Sequence, residues 1–163
     1  MNSQELFKLL KTESEFFSIE NLANKNLSIG QKMQHPPGSL KYKTQMIAKY
    51  NLEMLFEIKN LDCIDNIEDI DSDVLREFSF CIDRYMDKNA PDQIDFKKYI
   101  RIVTIYLTFI VRKPLHPPGM IFSGGEKIIS KDNHFYCPLK NKQLNQELSL
   151  CKYCVSKDIS EKR

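Results

Sequence analysis

The sequence predicts a mainly α-helical single domain, a four-to-five-helix bundle with a small C-terminal β meander and metal knuckle. Three observations predict it. Apolar residues recur at helical spacing through most of residues 1–113. After Pro114 the pattern changes to short β-type runs separated by Gly, Asp and Asn. Three cysteines in that last part, Cys137, Cys151 and Cys154, have a spacing that suits one metal ion. Within the one domain of 1–163, residues 1–113 are therefore read as the bundle. Residues 114–156 are read as the meander with its cysteine site, and 157–163 as a frayed tail.

Leu6, Leu9, Leu10, Phe16 and Phe17 predict a helix from Ser3 to Leu22, with a break near Thr12 allowed. Asn24 to Gly30 reads as its termination and a loop. His35-Pro36-Pro37-Gly38 forbids helix, because each proline drives its predecessor into extended backbone. Met46, Ile47, Tyr50, Met54, Leu55 and Ile58 form one face of a helix from Leu40 to Asn60. Asp62 to Asp73 is an acidic connector. A helix from Asp73 to Lys88 follows, capped by Ser72 or Asp73, with Val74, Phe78, Cys81, Ile82 and Tyr85 inward. Asp92 and Asp95 mark the start of another helix, reaching Arg112 or Lys113. Its Ile102–Val111 stretch is apolar on nearly every side, which places it at the centre of the bundle.

Beyond Pro114, Met120–Phe122, Lys127–Ile129 and Phe135–Cys137 read as strands. Ser123–Glu126 and Lys131–His134 are the turns between them. A short helix is expected from Asn141 to Leu148.

With 42% apolar and 28% charged residues the chain has material for a real core. The N-terminus lacks a basic stretch followed by an apolar run. Ile102–Val111, broken by Thr104 and Thr108, is far short of the roughly 20 residues that span a bilayer. A cytoplasmic protein with no membrane partner is expected, and in that compartment cysteines stay reduced. Net charge is −8 over residues 57–95 and +8 over residues 96–163. The basic part suggests nucleic-acid binding; the alternative is that the two charged parts face each other.

Cys63 and Cys81 stand alone and read as small hydrophobes. Cys151-Lys152-Tyr153-Cys154 is different. A C-x2-C pair brings two thiolates to one ion from a tight turn, and Cys137 ends a strand nearby in sequence. The thiolate-rich set suits zinc, with an iron–sulfur cluster or no metal as alternatives. His116 is the favoured fourth ligand, then His134, with Cys63 or Cys81 open if the helices close over the site. The repeated His35-Pro36-Pro37-Gly38 and His116-Pro117-Pro118-Gly119 are rigid turns, or else two imidazoles held on stiff backbone at a cleft. Asp69-Ile70-Asp71-Ser72-Asp73 fails as a calcium loop, because Val74 and Phe80 occupy the required Gly and Glu positions.

Further segments carry a resemblance. Ile105–Ile110, Lys113–Gly119, Phe122–Gly125, Tyr136–Gln143 and Leu150–Val155 together form a block within residues 99–156. The block resembles an uncharacterised family of methanogenic archaea, domain-of-unknown-function family 2115. The resemblance implies an anaerobic, cytoplasmic archaeal origin and assigns no reaction. It puts His116, Cys137, Cys151 and Cys154 in the most recognisable block, which favours His116 over His134 and strengthens the iron–sulfur alternative.

Three functions are carried forward. The first is a zinc-stabilised binding or adaptor protein with a protein or small-molecule partner. The second is a metal-dependent or acid–base enzyme around His116, with His35, Glu126 and the Gly124-Gly125 amides. The third is nucleic-acid binding through the basic part.

Overall fold

The computed structural model describes residues 1–30 and 35–163, the side chains of residues 25–30 excepted. Helix α1 (Ser3–Ser14) begins with a reciprocal cap. The Asn2 side chain accepts from the Glu5 amide, and the Glu5 carboxylate accepts from the Asn2 amide, each at 2.9 Å. Leu6, Phe7 and Leu10 form its buried face. The chain breaks at Glu15–Ser18, later than Thr12. Ser18 Oγ then accepts the Asn21 amide at 3.2 Å and starts helix α2 (Ile19–Gly30). Asn24–Gly30, expected as a loop, is therefore helical. Packing of α2 on α3 overrides the weak local preference of Asn and Gly.

Helix α3 (Leu40–Asn60) has the predicted limits, with Ser39 as its cap. It serves two apolar clusters. Tyr50, Met54, Leu55 and Ile58 enter the main bundle core. Tyr42, Met46 and Ile47 pack on a second cluster of Met120, Phe122, Ile128 and Cys137.

Helix α4 (Ser72–Asn89) is capped by Asp71, not by Ser72 or Asp73; Asp71 accepts from the Asp73 and Val74 amides. Phe78, Cys81 and Ile82 point inward as predicted, joined by Met86. Val74 and Tyr85 do not, at 36% and 52% exposed. The buried stripe passes through Met86, one position on from Tyr85.

Helix α5 (Ile94–Ile105) starts after Gln93 with no side-chain cap, so neither Asp92 nor Asp95 closes it. It runs into a π turn, Tyr106–Ile110, where the Val111 amide reaches back to the Tyr106 carbonyl at 3.1 Å. Arg112 at φ 52° and a bond from the Lys113 amide to the Leu107 carbonyl end the helix before Pro114. Ile102, Val103, Ile105, Tyr106, Leu107 and Phe109 are buried, so this segment is the centre of the bundle, as its composition predicted.

The Met120–Phe122 and Lys127–Ile128 segments pair through one bridge, Ile121 with Lys127. Strands β1 (Ile129–Lys131) and β2 (His134–Cys137) form the predicted hairpin. Its turn residues Asp132 and Asn133 both lie at positive φ, which suits the twist of a two-residue hairpin. The sheet's third strand is not one of the expected runs: β3 (Lys157–Asp158) comes from the tail and pairs in parallel with β2. The tail, expected to fray, carries this strand and a last 3-10 turn, Ile159–Glu161. Asp158 accepts from the Ser160 hydroxyl and amide and from the Asn141 amide, and these bonds lower its pKa. Helix α6 (Lys140–Gln143) is shorter than the Asn141–Leu148 expected. A 3-10 turn, Leu150–Lys152, follows. Among the described residues the fold is thus six α-helices with a small three-stranded sheet. No helix among them is long and apolar enough to cross a membrane.

The acidic and basic parts meet. Lys97 and Arg101 pair with Asp83, Lys97 also with Asp87, Arg112 with Glu68, and Lys152 with Glu77. Lys113 pairs with Glu57 at 3.3 Å, and the buried Tyr106 donates its hydroxyl to the same carboxylate at 2.7 Å. A hydrogen bond to a charged acceptor contributes more than a neutral one. Tyr106→Phe is expected to destabilise the fold by about 2 kcal/mol, read as a lower urea midpoint with an unchanged slope.

Candidate metal centre

Cys137 ends β2 and is 7% exposed. Pro138 turns the chain, and the backbone amides of Leu139 and Lys140 act to lower the Cys137 pKa. They favour its thiolate. Burial works against them and dominates, and the charges of Cys154 and Cys151 add to burial, so the thiol pKa is raised.

The two half-buried cysteines of the C-x2-C pair lie on the 3-10 turn and just beyond it. Ser149 Oγ accepts the Cys151 amide at 3.2 Å, and the Cys154 amide bonds back to the Leu150 carbonyl at 3.2 Å. Lys140, three residues after Cys137, donates to the carbonyls of both Cys151 and Cys154. One cation thus ties the strand end to the C-x2-C turn. Helix α4 closes over the same turn, with Phe78 edge-on to Tyr153 at 5.1 Å and Cys81 near enough to act on the Tyr153 phenol.

His116 is half-buried, with its ring edge-on to Phe122 at 6.0 Å. Burial, then the Lys43 charge, lowers its pKa and favours the neutral imidazole. That form has a free ring nitrogen for a metal or a proton. Phe122 shares its apolar cluster with Cys137. From the other side, Tyr50 donates to the Pro114 carbonyl at 2.9 Å, and its phenol, raised mainly by burial, also feels Cys154. His134 is exposed and bonds through Nδ1 to the Asp132 carbonyl at 2.8 Å. Cys63 is exposed on the connector.

The knuckle is not assembled. Among the described residues no three His, Cys, Asp or Glu side chains stand close enough together to hold one ion. Cys137 faces the buried side of the sheet, whereas Cys151 and Cys154 sit half-exposed on their turn. The donor types present, three free thiols and an imidazole favoured as neutral, are ones that zinc takes, but they are not gathered at one point. Sequence reasoning missed the Lys140 tie and the amide pair.

The chain matches the family described as an uncharacterised protein conserved in archaea (DUF2115) over residues 2–159. It belongs to that family. It is 40% identical to the UPF0305 protein MJ0646 of Methanocaldococcus jannaschii, over 99% of each chain. It is 36% identical to a UPF0305 protein of Methanococcus maripaludis strain C7, again over 99% of each. A UPF0305 protein of Methanothermobacter thermautotrophicus is 29% identical over 96% of each. All three sources are methanogenic archaea. No solved structure matches the chain. The family match extends well before residue 99, so the bundle belongs to the family pattern along with the cysteine block.

The repeated His-Pro-Pro-Gly turns share one backbone feature: Gly38 at φ 80° and Gly119 at φ 86°. The first turn packs on the loop that follows the second. A Cβ on Gly38 would meet the Phe122 carbonyl oxygen at 2.6 Å. Ser123 Oγ donates to the Gly38 carbonyl at 3.3 Å, and Lys43 reaches Ser123 Oγ at 3.5 Å. The contact runs through Gly38 and Phe122 rather than through His35 and His116. The Gly125 amide closes its own turn onto Phe122, and Glu126 points to Lys142 at 3.9 Å. Gly38→Ala combines a left-handed backbone with that clash and is expected to cost about 3–5 kcal/mol. Gly119→Ala meets open space and is expected to cost only about 1–2 kcal/mol. Chemical denaturation of both variants checks the difference.

Proposed function

We propose that the protein is a zinc-stabilised, non-enzymatic binding or adaptor protein. Cys137, Cys151, Cys154 and His116 would hold one ion, and the helical bundle would present the surface for a protein or small-molecule partner. The observation that carries this reading is Lys140, three residues after Cys137, which donates to the carbonyls of both Cys151 and Cys154 and so ties the end of β2 to the turn that bears the other two thiols.

Zinc, when bound, supplies a cross-link between the end of β2, the C-x2-C turn and the turn after Pro114. Closure needs the half-buried Cys151 and Cys154 side chains to swing onto Cys137, and His116 to leave the edge of Phe122. Four protein ligands leave no open coordination position, which is the arrangement of a structural rather than a catalytic ion. Binding requires deprotonated thiols, so affinity rises with pH and zinc uptake releases protons.

Elemental analysis of protein purified without oxygen tests the reading. The expected result is about one zinc per chain, lost in Cys151→Ser and Cys154→Ser. Cobalt substitution is expected to give intense sulfur-to-metal charge-transfer bands, and His116→Gln is expected to shift the ligand-field bands while keeping the thiolate ones. Iron with acid-labile sulfide would move the same cysteines to a cluster. Protein free of any metal, with no zinc taken up on titration, would remove the proposal.

A further inference from the structure

We propose that the cleft between the α1–α2 junction, α3 and α5 binds a small molecule bearing adenine. It contains none of the five cysteines, so this inference stands apart from the metal reading. Its volume is about 800 Å³, within the range of small-molecule sites.

One wall is aromatic. Phe17 and Tyr99 lie 5.8 Å apart between ring centroids, and Phe96 and Tyr99 lie 6.4 Å apart. The rings are tilted 45° and 48° to each other, and Phe96, at 45% exposed, is the one with a free face on which a nucleobase can stack. The opposite wall belongs to α3 and carries Asn51. Its side chain is 5% exposed and lines the cleft. Among the described residues it has no hydrogen-bond partner. Its amide atoms are not among those sealed from solvent, so they are open to a molecule in the cleft.

An asparagine side chain presents one donor beside one acceptor. Adenine presents the complement, the N6 amino donor beside the N7 acceptor, and the two meet through paired hydrogen bonds. Hypoxanthine, with a carbonyl at position 6, loses one of the pair and opposes two acceptors. The mouth carries Asp95 and Lys98, whose charges offset each other, so nothing in the lining demands a charged ring. A base seated between the aromatic wall and Asn51 would leave its sugar toward that mouth.

Titration calorimetry on the full chain, as purified, tests this with adenosine, AMP, inosine and ribose. A single saturable site for adenosine is expected, with inosine at least about tenfold weaker and ribose silent. AMP equal to adenosine identifies a nucleoside-type ligand, and AMP tighter than adenosine identifies a nucleotide read by Lys98; both keep the adenine assignment. Asn51→Leu removes the amide and keeps its bulk, so binding is expected to fall about ten- to a hundredfold. The unliganded unfolding midpoint of that variant should not fall, since no hydrogen bond is lost. Phe96→Ala, at a partly exposed site, is expected to weaken adenosine binding about fivefold or more with the fold retained. No saturable heat up to millimolar adenosine or AMP, inosine matching adenosine, or undiminished binding by a folded Asn51→Leu would each overturn the proposal.

Discussion

Helix α3 extends for 21 residues, about 30 Å, and its burial is divided between two apolar clusters. Its C-terminal half places Met54, Leu55 and Ile58 in the bundle, while Tyr42, Met46 and Ile47 lie on the cluster of the C-terminal lobe. Rotation of the helix about its axis would expose one set or the other, at roughly 1.5–3 kcal/mol for each large side chain lost from burial. Two polar contacts fix the angle that satisfies both. Tyr50 anchors the carbonyl of Pro114, and Glu57 receives Tyr106 and Lys113 from the far end of the central helix. The orientation of the lobe that carries the cysteines therefore depends on α3.

That lobe has little core of its own. Its fully buried cluster is Met120, Phe122, Ile128 and Cys137. Small apolar clusters do not hold a chain alone and need staples. Several are present: Gly38 against Phe122, Lys140 on the C-x2-C turn, and Asp158 capping the last turn while bonding to the start of α6. Each connects segments distant in sequence. A bound ion would act in the same way, and the lobe's small apolar area is the physical reason such a cross-link would matter there.

Helix α3 and the centrality of Ile102–Val111 were legible because both follow from patterns inside one segment. The Asp132–Asn133 turn was legible for the same reason. The misses arise where distant contacts decide. Nothing local marks Asn24–Gly30 as helix, since its support is α3. The choice of Met86 over Tyr85 depends on which residues cover α4. The final strand comes from a tail that looks unremarkable until β2 offers it an edge. Cysteine spacing singled out Cys137, Cys151 and Cys154, but spacing does not set where their side chains point, and among the described residues no three candidate donors stand together. The turn that holds Cys151 and Cys154 is positioned by Lys140 and by Phe78 on Tyr153, neither of which the C-x2-C pattern encodes.

The charge asymmetry has an internal use. Lys97, Arg101, Arg112, Lys113 and Lys152 belong to the +8 part, and all five lie within ion-pair distance of acids in the −8 part. Exposed pairs of this kind contribute roughly 0–1 kcal/mol each, so they do not explain stability. Their placement is more informative than their strength. They span α4 with α5, the acidic connector with the end of the central helix, and α4 with the C-x2-C turn, which are junctions where apolar packing alone leaves sliding cheap. Opposite charges at those junctions favour one register, and like charges would penalise others. The +8 counted along the last part therefore overstates the field it offers an external polyanion, because much of that charge faces acids of the same chain.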